Sequence, residues 1–543
     1  MDASLKTLQL DISGMVLPSF KAAPAAMIPL TSSFLSIPAY FIIVSLCAAI
    51  FWYFTRPFHS SFRHLPRPNQ GLAVFRIFHE PNINEIETWI DSVPNKGLIR
   101  YYGAYNKERL LVTEPSSVRD LLKTEAYNFV KPKLQHILAN NIANKGLLIL
   151  EGDEHKVAKK GFAGAFQPQR VSNVYPLFWK VAADLQTCVA SELKSGHSKI
   201  VRPVSAAAID SIGQWGYSKN LEALTNPKAR FARSYLGMFK MTPIGQTSLR
   251  IAALTDPEIV MSLPLRAAKT ITGVMDYVRN FSTEIVKEHA CVYEAQREGK
   301  ATMSDDMLSM IMQSDVFNER QLVDQTVHFL AAATETSAGT TCWGIHLLSR
   351  HTDVQTRLRQ EIRLHLPSPA LLRDGRIDAD RASAQVFDQM PYLSAVVKEI
   401  LRFHSINTLL WRECVQKATL AGQEIPPETL VVYSPWAINR SPKHWGPDSK
   451  EFKPERWLKD ANGGADEANC FLTFGAGPRR CIGEQYAVAQ IKSFIAALVG
   501  RFEFKPLHEN GTDDGEEIGS NYALTLFKIY EGWELAVREV EGW

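Results

Sequence analysis

The sequence predicts a mainly α protein with small β-sheets, folded as one large domain behind an N-terminal transmembrane helix. Three observations lead there. Leu322–Leu348 is long, apolar and nearly free of breakers, as a buried central helix requires. Short strand-like runs, Gly97–Tyr102 and Arg109–Thr113, stand apart from this helical majority. Phe34–Phe54 is strongly apolar and lies within a stretch, Ala22–Thr55, that has no charged residue.

About 20 apolar residues in a helix span the hydrocarbon core of a bilayer. Trp52 and Tyr53 stand at one end of the stretch, where amphipathic rings prefer the interface, and Pro38 stands near its start. A cleaved signal peptide fits less well, because the stretch is long, begins late and has no clear small-x-small site after it. A buried core helix is usually shorter and amphipathic. Arg56, Arg63 and Arg67 follow the stretch, whereas only Lys6 and Lys21 precede it, so the positive-inside rule places the body in the cytosol. The expectation is a single-pass membrane protein, at the endoplasmic reticulum, with its catalytic domain cytosolic. Residues 1–33 form a non-cytosolic segment, 34–55 the anchor, 56–70 a basic linker stiffened by Leu65-Pro66-Arg67-Pro68, and 71–543 the catalytic domain.

No Gly/Ser linker, low-complexity tract or repeat interrupts residues 71–543, so they read as one large domain rather than several. Val354–Leu366, Pro391–His404 and Ile482–Phe502 read as further helices, and Thr419–Tyr433 as short strands with a turn at Pro426-Pro427. With 45% hydrophobic and 22% charged residues, the chain can bury a large core. Its 60 basic and 57 acidic residues leave a net charge of +3, which gives no general case for nucleic-acid binding. The seven cysteines are scattered and contain no Cys-x-x-Cys pair, which argues against a disulfide framework and a tetrahedral zinc site.

The most informative segment is Phe474-Gly475-Ala476-Gly477-Pro478-Arg479-Arg480-Cys481-Ile482-Gly483. Its glycines permit tight backbone geometry and Pro478 stiffens the loop. Cys481 falls at the mouth of the following helix, where the helix dipole and backbone N–H groups favour a thiolate. Gly483 leaves room for a flat macrocycle. A thiolate on heme iron pushes electron density toward bound oxygen and favours O–O cleavage. An isolated free cysteine is usually an inert core residue, but the ten-residue pattern around Cys481 points elsewhere.

This loop resembles the heme-binding signature of the cytochrome P450 family, Phe-x-x-Gly-x-Arg-x-Cys-x-Gly. The resemblance implies a single, largely helical P450-like domain that holds heme b (iron protoporphyrin IX). Cys481 would be the axial thiolate and metal ligand, Arg479 a propionate partner, and Phe474, Gly475 and Gly483 part of the cofactor bed. Two further segments fit it. Glu399-Ile400-Leu401-Arg402 places an acid and a base on one helical face, and Phe452-Lys453-Pro454-Glu455-Arg456-Trp457 follows. In the family these build a buried Glu–Arg–Arg cluster, here Glu399, Arg402 and Arg456. Ala332-Ala333-Thr334-Glu335-Thr336-Ser337 interrupts the long apolar helix with an acid and an alcohol, and a buried carboxylate needs a partner or a task. It resembles the oxygen-activation motif, with Glu335 and Thr336 as the catalytic acid–alcohol pair and Ala333 where many members have glycine.

By the same resemblance His155 and Lys159 would point at propionates, with lysine replacing the family's arginine and losing its bidentate fork. Lys156 and Lys160 would add a positive face for an acidic redox partner. Arg412, ten residues before Gly422, would contact a propionate. The substrate-facing stretches would be Lys131–Ile149, Arg233–Pro264, the middle of the long helix, Ser405–Trp411 and Asn521–Leu526. Phe329, Ala332, Leu409, Leu410 and Leu524 in them are apolar or small and imply a lipophilic ligand.

The implied activity is insertion of one oxygen atom from O2 into a lipophilic small molecule, a terpenoid or polyketide in fungal secondary metabolite biosynthesis. No nucleotide-binding fingerprint or flavin domain is apparent, so electrons would come from NADPH through a separate NADPH-cytochrome P450 reductase. The other partners are the substrate, O2 and membrane lipid, with no nucleic acid. Two alternatives stay open: a heme-thiolate isomerase or dehydratase, whose relatives tend to lack the acid–alcohol pair, and a non-catalytic heme-binding protein.

Overall fold

The structure, a computed structural model, describes residues 36–55, 59–72, 79–133, 135–136, 145–193, 197–226, 229–238, 266–507, 519–522, 526–529 and 533–543. The chain divides into two units, Met1–Ser60 and Ser61–Trp543.

The first unit contains helix α1, Ser36–Thr55, which carries no charged residue and exposes Tyr40, Phe41, Ile42, Ile43 and Phe51. Among the described residues no helix is long and apolar enough to cross a membrane. Several α1 side chains lie outside those described, as do residues 34 and 35 of the expected span.

The second unit is mainly helical with small sheets, as the sequence predicts. Its longer helices are α2 (Ile83–Ser92), α3 (Gly152–Phe162), α4 (Tyr175–Glu192), α5 (Val201–Tyr217), α6 (Arg230–Met238), α7 (Arg266–Arg297), α8 (Glu319–Arg350), α9 (Thr352–His365), α10 (Pro391–Phe403) and α11 (Glu484–Arg501). The strands are β1 (Leu98–Tyr102), β2 (Glu108–Val112), β3 (Phe129–Val130), β4 (His197–Ser198), β5 (Leu410–Cys414), β6 (Ala418–Leu420), β7 (Gln423–Ile425), β8 (Leu430–Tyr433), β9 (Phe502–Pro506), β10 (Gly519–Tyr522), β11 (Leu526–Ile529) and β12 (Leu535–Glu539).

A five-stranded sheet runs in the order β1-β2-β8-β5-β3. All its pairs are antiparallel except β2–β8, which sets Leu110 opposite Val431 in parallel. Smaller sheets pair β4-β12-β9, β6-β7 and β10-β11. The helical core centres on α8, which packs against α5, α7, α10 and α11. α8 opens on a capping box: Asn318 Oδ1 accepts from Gln321 N–H and Gln321 Oε1 accepts from Asn318 N–H, each at 2.9 Å. Trp343, Ile345 and Leu348 on this helix are fully buried. Burying a large apolar side chain is worth about 1.5–3 kcal/mol, so a helix buried along most of its length is a rigid wall.

One face of α8 departs from this pattern. Ala332 is exposed and Ala331, Ala333 and Thr336 are half-buried, in the middle of an otherwise buried helix. Solvent reaches the helix there, at the segment where the sequence places an acid and an alcohol.

Candidate functional site

The Cys481 loop is a tight turn that the backbone closes on itself. Cys481 N–H donates to Phe474 C=O at 2.9 Å, Gly475 N–H to Leu472 C=O at 2.8 Å and Arg480 N–H to Gly477 C=O at 3.1 Å. Gly475 and Gly477 have φ of +69° and +67°, and a Cβ on Gly477 would lie 1.9 Å from Leu122 C=O, so this position demands glycine. Gly483 differs: a Cβ there would meet only Phe166, at 3.9 Å. The loop hangs on two buried residues that sequence reasoning passed over. Asn439 accepts from Leu472 N–H at 2.8 Å and donates to Thr473 Oγ1 at 2.9 Å, and Thr473 donates to Leu401 C=O at 2.6 Å.

α11 begins at Glu484, just after Cys481. The sequence reading expected this helix mouth to favour the thiolate. Burial wins instead and pushes the Cys481 thiol up to about 11, against the opposing hydrogen bond from Gly483 N–H. The residue is nevertheless exposed to solvent. A side chain that is both open and closely surrounded faces a recess in the protein. Coordination to a metal overcomes such a shift, since a bound thiol is deprotonated outright.

Beside the loop lies a cluster of cations. Arg479 Nη1 donates to Leu150 C=O at 3.2 Å and Nη2 to Glu151, while its buried Nε has no partner among the described residues. Lys131 Nζ stands 3.5 Å from Glu151. Burial, followed by repulsion from Arg412, pushes the Lys131 ammonium down to about 7. Arg412, also buried, donates to Trp411 C=O at 2.7 Å and stands over the Tyr433 ring at 5.7 Å. Buried His155 lies 3.3 Å from Tyr127 Oη, and desolvation together with Arg479, Lys131 and Lys159 pushes its imidazole down to about 4. Lys131 and Arg479 thus share one carboxylate, Glu151, with Arg412 close enough to repel both, so the pocket is net positive even though Lys131 is held only partly protonated near pH 7. Excess like charge in a buried place is unfavourable unless a counter-ion is due there.

Arg479, Arg412 and His155 lie in one cluster, and Lys159 is close enough to act on His155. Lys159 Nζ donates to Pro478 C=O and interacts with Cys481. Its ammonium lines a cleft of about 450 Å³ with Tyr127, Lys156, Lys160, Ala163, Phe166 and Ile482. Lys131, Glu151 and Tyr127 were not foreseen as parts of the cluster.

On α8, Glu335 is buried, and Thr336 Oγ1 donates to Ala332 C=O at 2.8 Å on the accessible face. Gln325 ties this helix to the chain entering α3, accepting from Leu147 N–H at 2.8 Å and donating to Lys145 C=O at 3.3 Å. Phe329, expected to face a substrate, instead packs on Phe162 and Phe166 at 4.9 and 5.5 Å. Leu409 is buried and Leu410 half-buried. Leu524, most of 233–264 and residues 137–144 lie outside the described residues.

The predicted Glu–Arg–Arg cluster forms in full. Glu399 accepts from Arg402 Nε and Nη2 at 2.9 and 2.7 Å and from Arg456 Nε at 3.0 Å. Trp457 Nε1, which the sequence did not single out, donates to it at 2.9 Å.

The family model for cytochrome P450 matches residues 95–523. The chain belongs to the cytochrome P450 family. It is 33% identical to the cytochrome P450 monooxygenase sphH of Aspergillus fumigatus, over 82% of this chain and 84% of that one. It is 30% identical to the cytochrome P450 monooxygenase FUM15 of Gibberella moniliformis over 92% of each. It is 28% identical to buaD of Petromyces alliaceus, again over 92% of each. The chain is thus an enzyme of the P450 monooxygenase class, whose members use heme with a cysteine thiolate as axial ligand. The residues present fit that group. An exposed cysteine whose thiol is closely surrounded can reach an iron, and a net-positive pocket with an unpartnered Arg479 Nε suits the anionic propionates of heme b.

Proposed function

We propose that this P450 uses Cys481 as the thiolate ligand of heme b. Arg479, Arg412 and Lys131 would bind its propionates, with neutral His155 packed behind them. The observation that carries this reading is the charge imbalance beside the Cys481 loop: three cations, one carboxylate and an unpartnered Arg479 Nε. The thiolate-bound heme supplies activation of O2. One oxygen atom enters the substrate and the other leaves as water, with two electrons and a proton coming from NADPH and a second proton from solvent. The protein's own part is to deliver protons and exclude bulk water. Buried Glu335 would be the proton source, and Thr336 Oγ1, on the open face of α8, would pass the proton on by giving up its bond to Ala332 C=O. Ala331, Ala332 and Ala333 widen that face, which makes space for a bulky ligand.

The substrate we propose is a lipophilic small molecule, a terpenoid or polyketide of fungal secondary metabolism. The small or apolar side chains of Ala332, Leu409 and Leu410 and the fungal monooxygenases among its relatives support this. Electrons would arrive from an NADPH-cytochrome P450 reductase that docks at the cleft lined by Lys156, Lys159 and Lys160. We further propose that residues 34–55 anchor the protein in the endoplasmic reticulum membrane as a single pass. Residues 1–33 would be non-cytosolic, 56–70 a linker and 71–543 the cytosolic catalytic domain. A 20-residue helix rises about 30 Å, the thickness of a hydrocarbon core, and α1 is uncharged with exposed apolar rings.

The test is turnover by purified enzyme with reductase, NADPH and isotopically labelled O2, followed by mass spectrometry of lipophilic candidates. NADPH-dependent incorporation of one labelled oxygen is expected. Products formed without NADPH, or only from small polar acids, would contradict the proposal.

A further inference from the structure

Glu151 is the N-cap residue of α3, yet its side chain makes no capping hydrogen bond. Both carboxylate oxygens turn into the cationic pocket instead. Oε1 accepts from Lys131 N–H at 3.1 Å and faces Lys131 Nζ at 3.5 Å and His136 Nε2 at 3.8 Å, while Oε2 accepts from Arg479 Nη2. One carboxylate therefore ties together three separate segments: the chain after β3, the head of α3 and the Cys481 loop.

Its effect on Arg479 is directional. Leu150 C=O takes one hydrogen of Nη1 and Glu151 one of Nη2, so the guanidinium plane is held, while the buried Nε–H and the second hydrogens of Nη1 and Nη2 are left to bond. A fixed fork loses little entropy when it binds an anion. Glu151 also offsets part of the positive charge of Arg479 and Lys131 and leaves the pocket net positive, as an anionic ligand requires. A helix cap or a solvated surface pair would need neither arrangement.

We infer that Glu151 is a positioning residue of the propionate site, one that orients Arg479 and Lys131 and tempers their joint positive charge. This rests on the reading that heme binds at Cys481, and it assigns a role to a residue that need not touch the heme.

The experiment uses the full-length, heme-loaded protein and measures heme loss to excess apomyoglobin, the midpoint potential and the reduced CO-bound spectrum. Glu151→Gln is expected to lose heme about tenfold faster or more, the range seen when outer partners of a metal group are removed. Its potential should rise, because removing a nearby negative charge favours the reduced, more negative state, and its CO spectrum should stay of the thiolate type. Glu151→Asp keeps the charge but shortens the reach, so it should hold the wild-type potential while losing heme faster. If Glu151→Gln does not fold, Glu151→Asp carries the test alone. Heme loss within twofold of wild type and an unmoved potential would overturn the inference. A wild-type protein without a thiolate-type spectrum would instead overturn the heme reading beneath it.

Discussion

Two buried ionic clusters lie close to the Cys481 loop, and they are built on opposite principles. At Glu399, two arginines meet two carboxylates, Glu399 and Asp448, and the donors left over go to backbone carbonyls: Arg402 Nη1 reaches Asn439 and Ser449 C=O, each at 2.8 Å, and Arg456 Nη2 reaches Asp448 C=O at 2.9 Å. Charge and hydrogen bonds both close within the protein. At Glu151, Arg479 and Lys131 share one carboxylate with Arg412 nearby, Lys131 and His155 are pushed down in pKa, and Arg479 Nε has no partner among the described residues. A finished cluster is structural, because nothing further can be added to it. An unfinished one costs stability and is kept for a ligand that completes it.

Substitutions that separate these principles differ in size. The largest effect is expected from Glu399→Ala. It strands two buried arginines and a Trp457 N–H, at a cost of roughly 3–5 kcal/mol, a large share of a domain's net stability. Thermal unfolding should show it whether or not heme is bound. Gly477→Ala comes next: a Cβ 1.9 Å from Leu122 C=O, at positive φ, forces the loop to move. About 2–3 kcal/mol of strain is expected, together with a smaller thiolate-type band per mole of protein.

The third effect is a pH slope. The folded-state pKa of His155, about 4, lies below that of an unfolded histidine, so below pH ~6.5 the unfolded chain binds a proton that the folded chain refuses. Folding stability should therefore fall as pH drops from 6.5 to 4, by up to roughly 1.4 kcal/mol per unit from this residue. His155→Gln should flatten that part of a plot of Tm against pH; an unchanged slope would place the titration elsewhere. The smallest effect is Arg479→Gln in heme-free protein, within about 1 kcal/mol of wild type, because relieving the cation excess offsets the lost Glu151 pair. If it costs as much as Arg402→Gln, the contrast between the clusters fails.

The finished cluster was legible in the sequence and the unfinished one only in part. Glu399 and Arg402 announce themselves at i, i+3 on one helix, and Arg456 follows in a recognisable segment, so local spacing carries the message. Cys481 and the long α8 were legible for the same reason. Strand and helix positions also came close: Arg109–Thr113 was expected for β2 (Glu108–Val112), Pro391–His404 for α10 and Ile482–Phe502 for α11. Lys131 and Glu151 have no such spacing. Each is a lone charge outside an element, and their coupling exists only because the chain after β3 meets the head of α3 and the Cys481 loop. The direction of the Cys481 shift was missed for a related reason: helix-end electrostatics can be read from sequence, whereas desolvation depends on everything packed around the sulfur.

The most direct test of the whole account is the reduced, CO-bound absorption spectrum of heme-loaded wild type beside Cys481→Ala, with Cys470→Ala as a buried-cysteine control. A thiolate-type Soret band is predicted for wild type and Cys470→Ala and none for Cys481→Ala. The same thiolate-type band in Cys481→Ala would show that the iron's sulfur comes from elsewhere and would contradict the site built here.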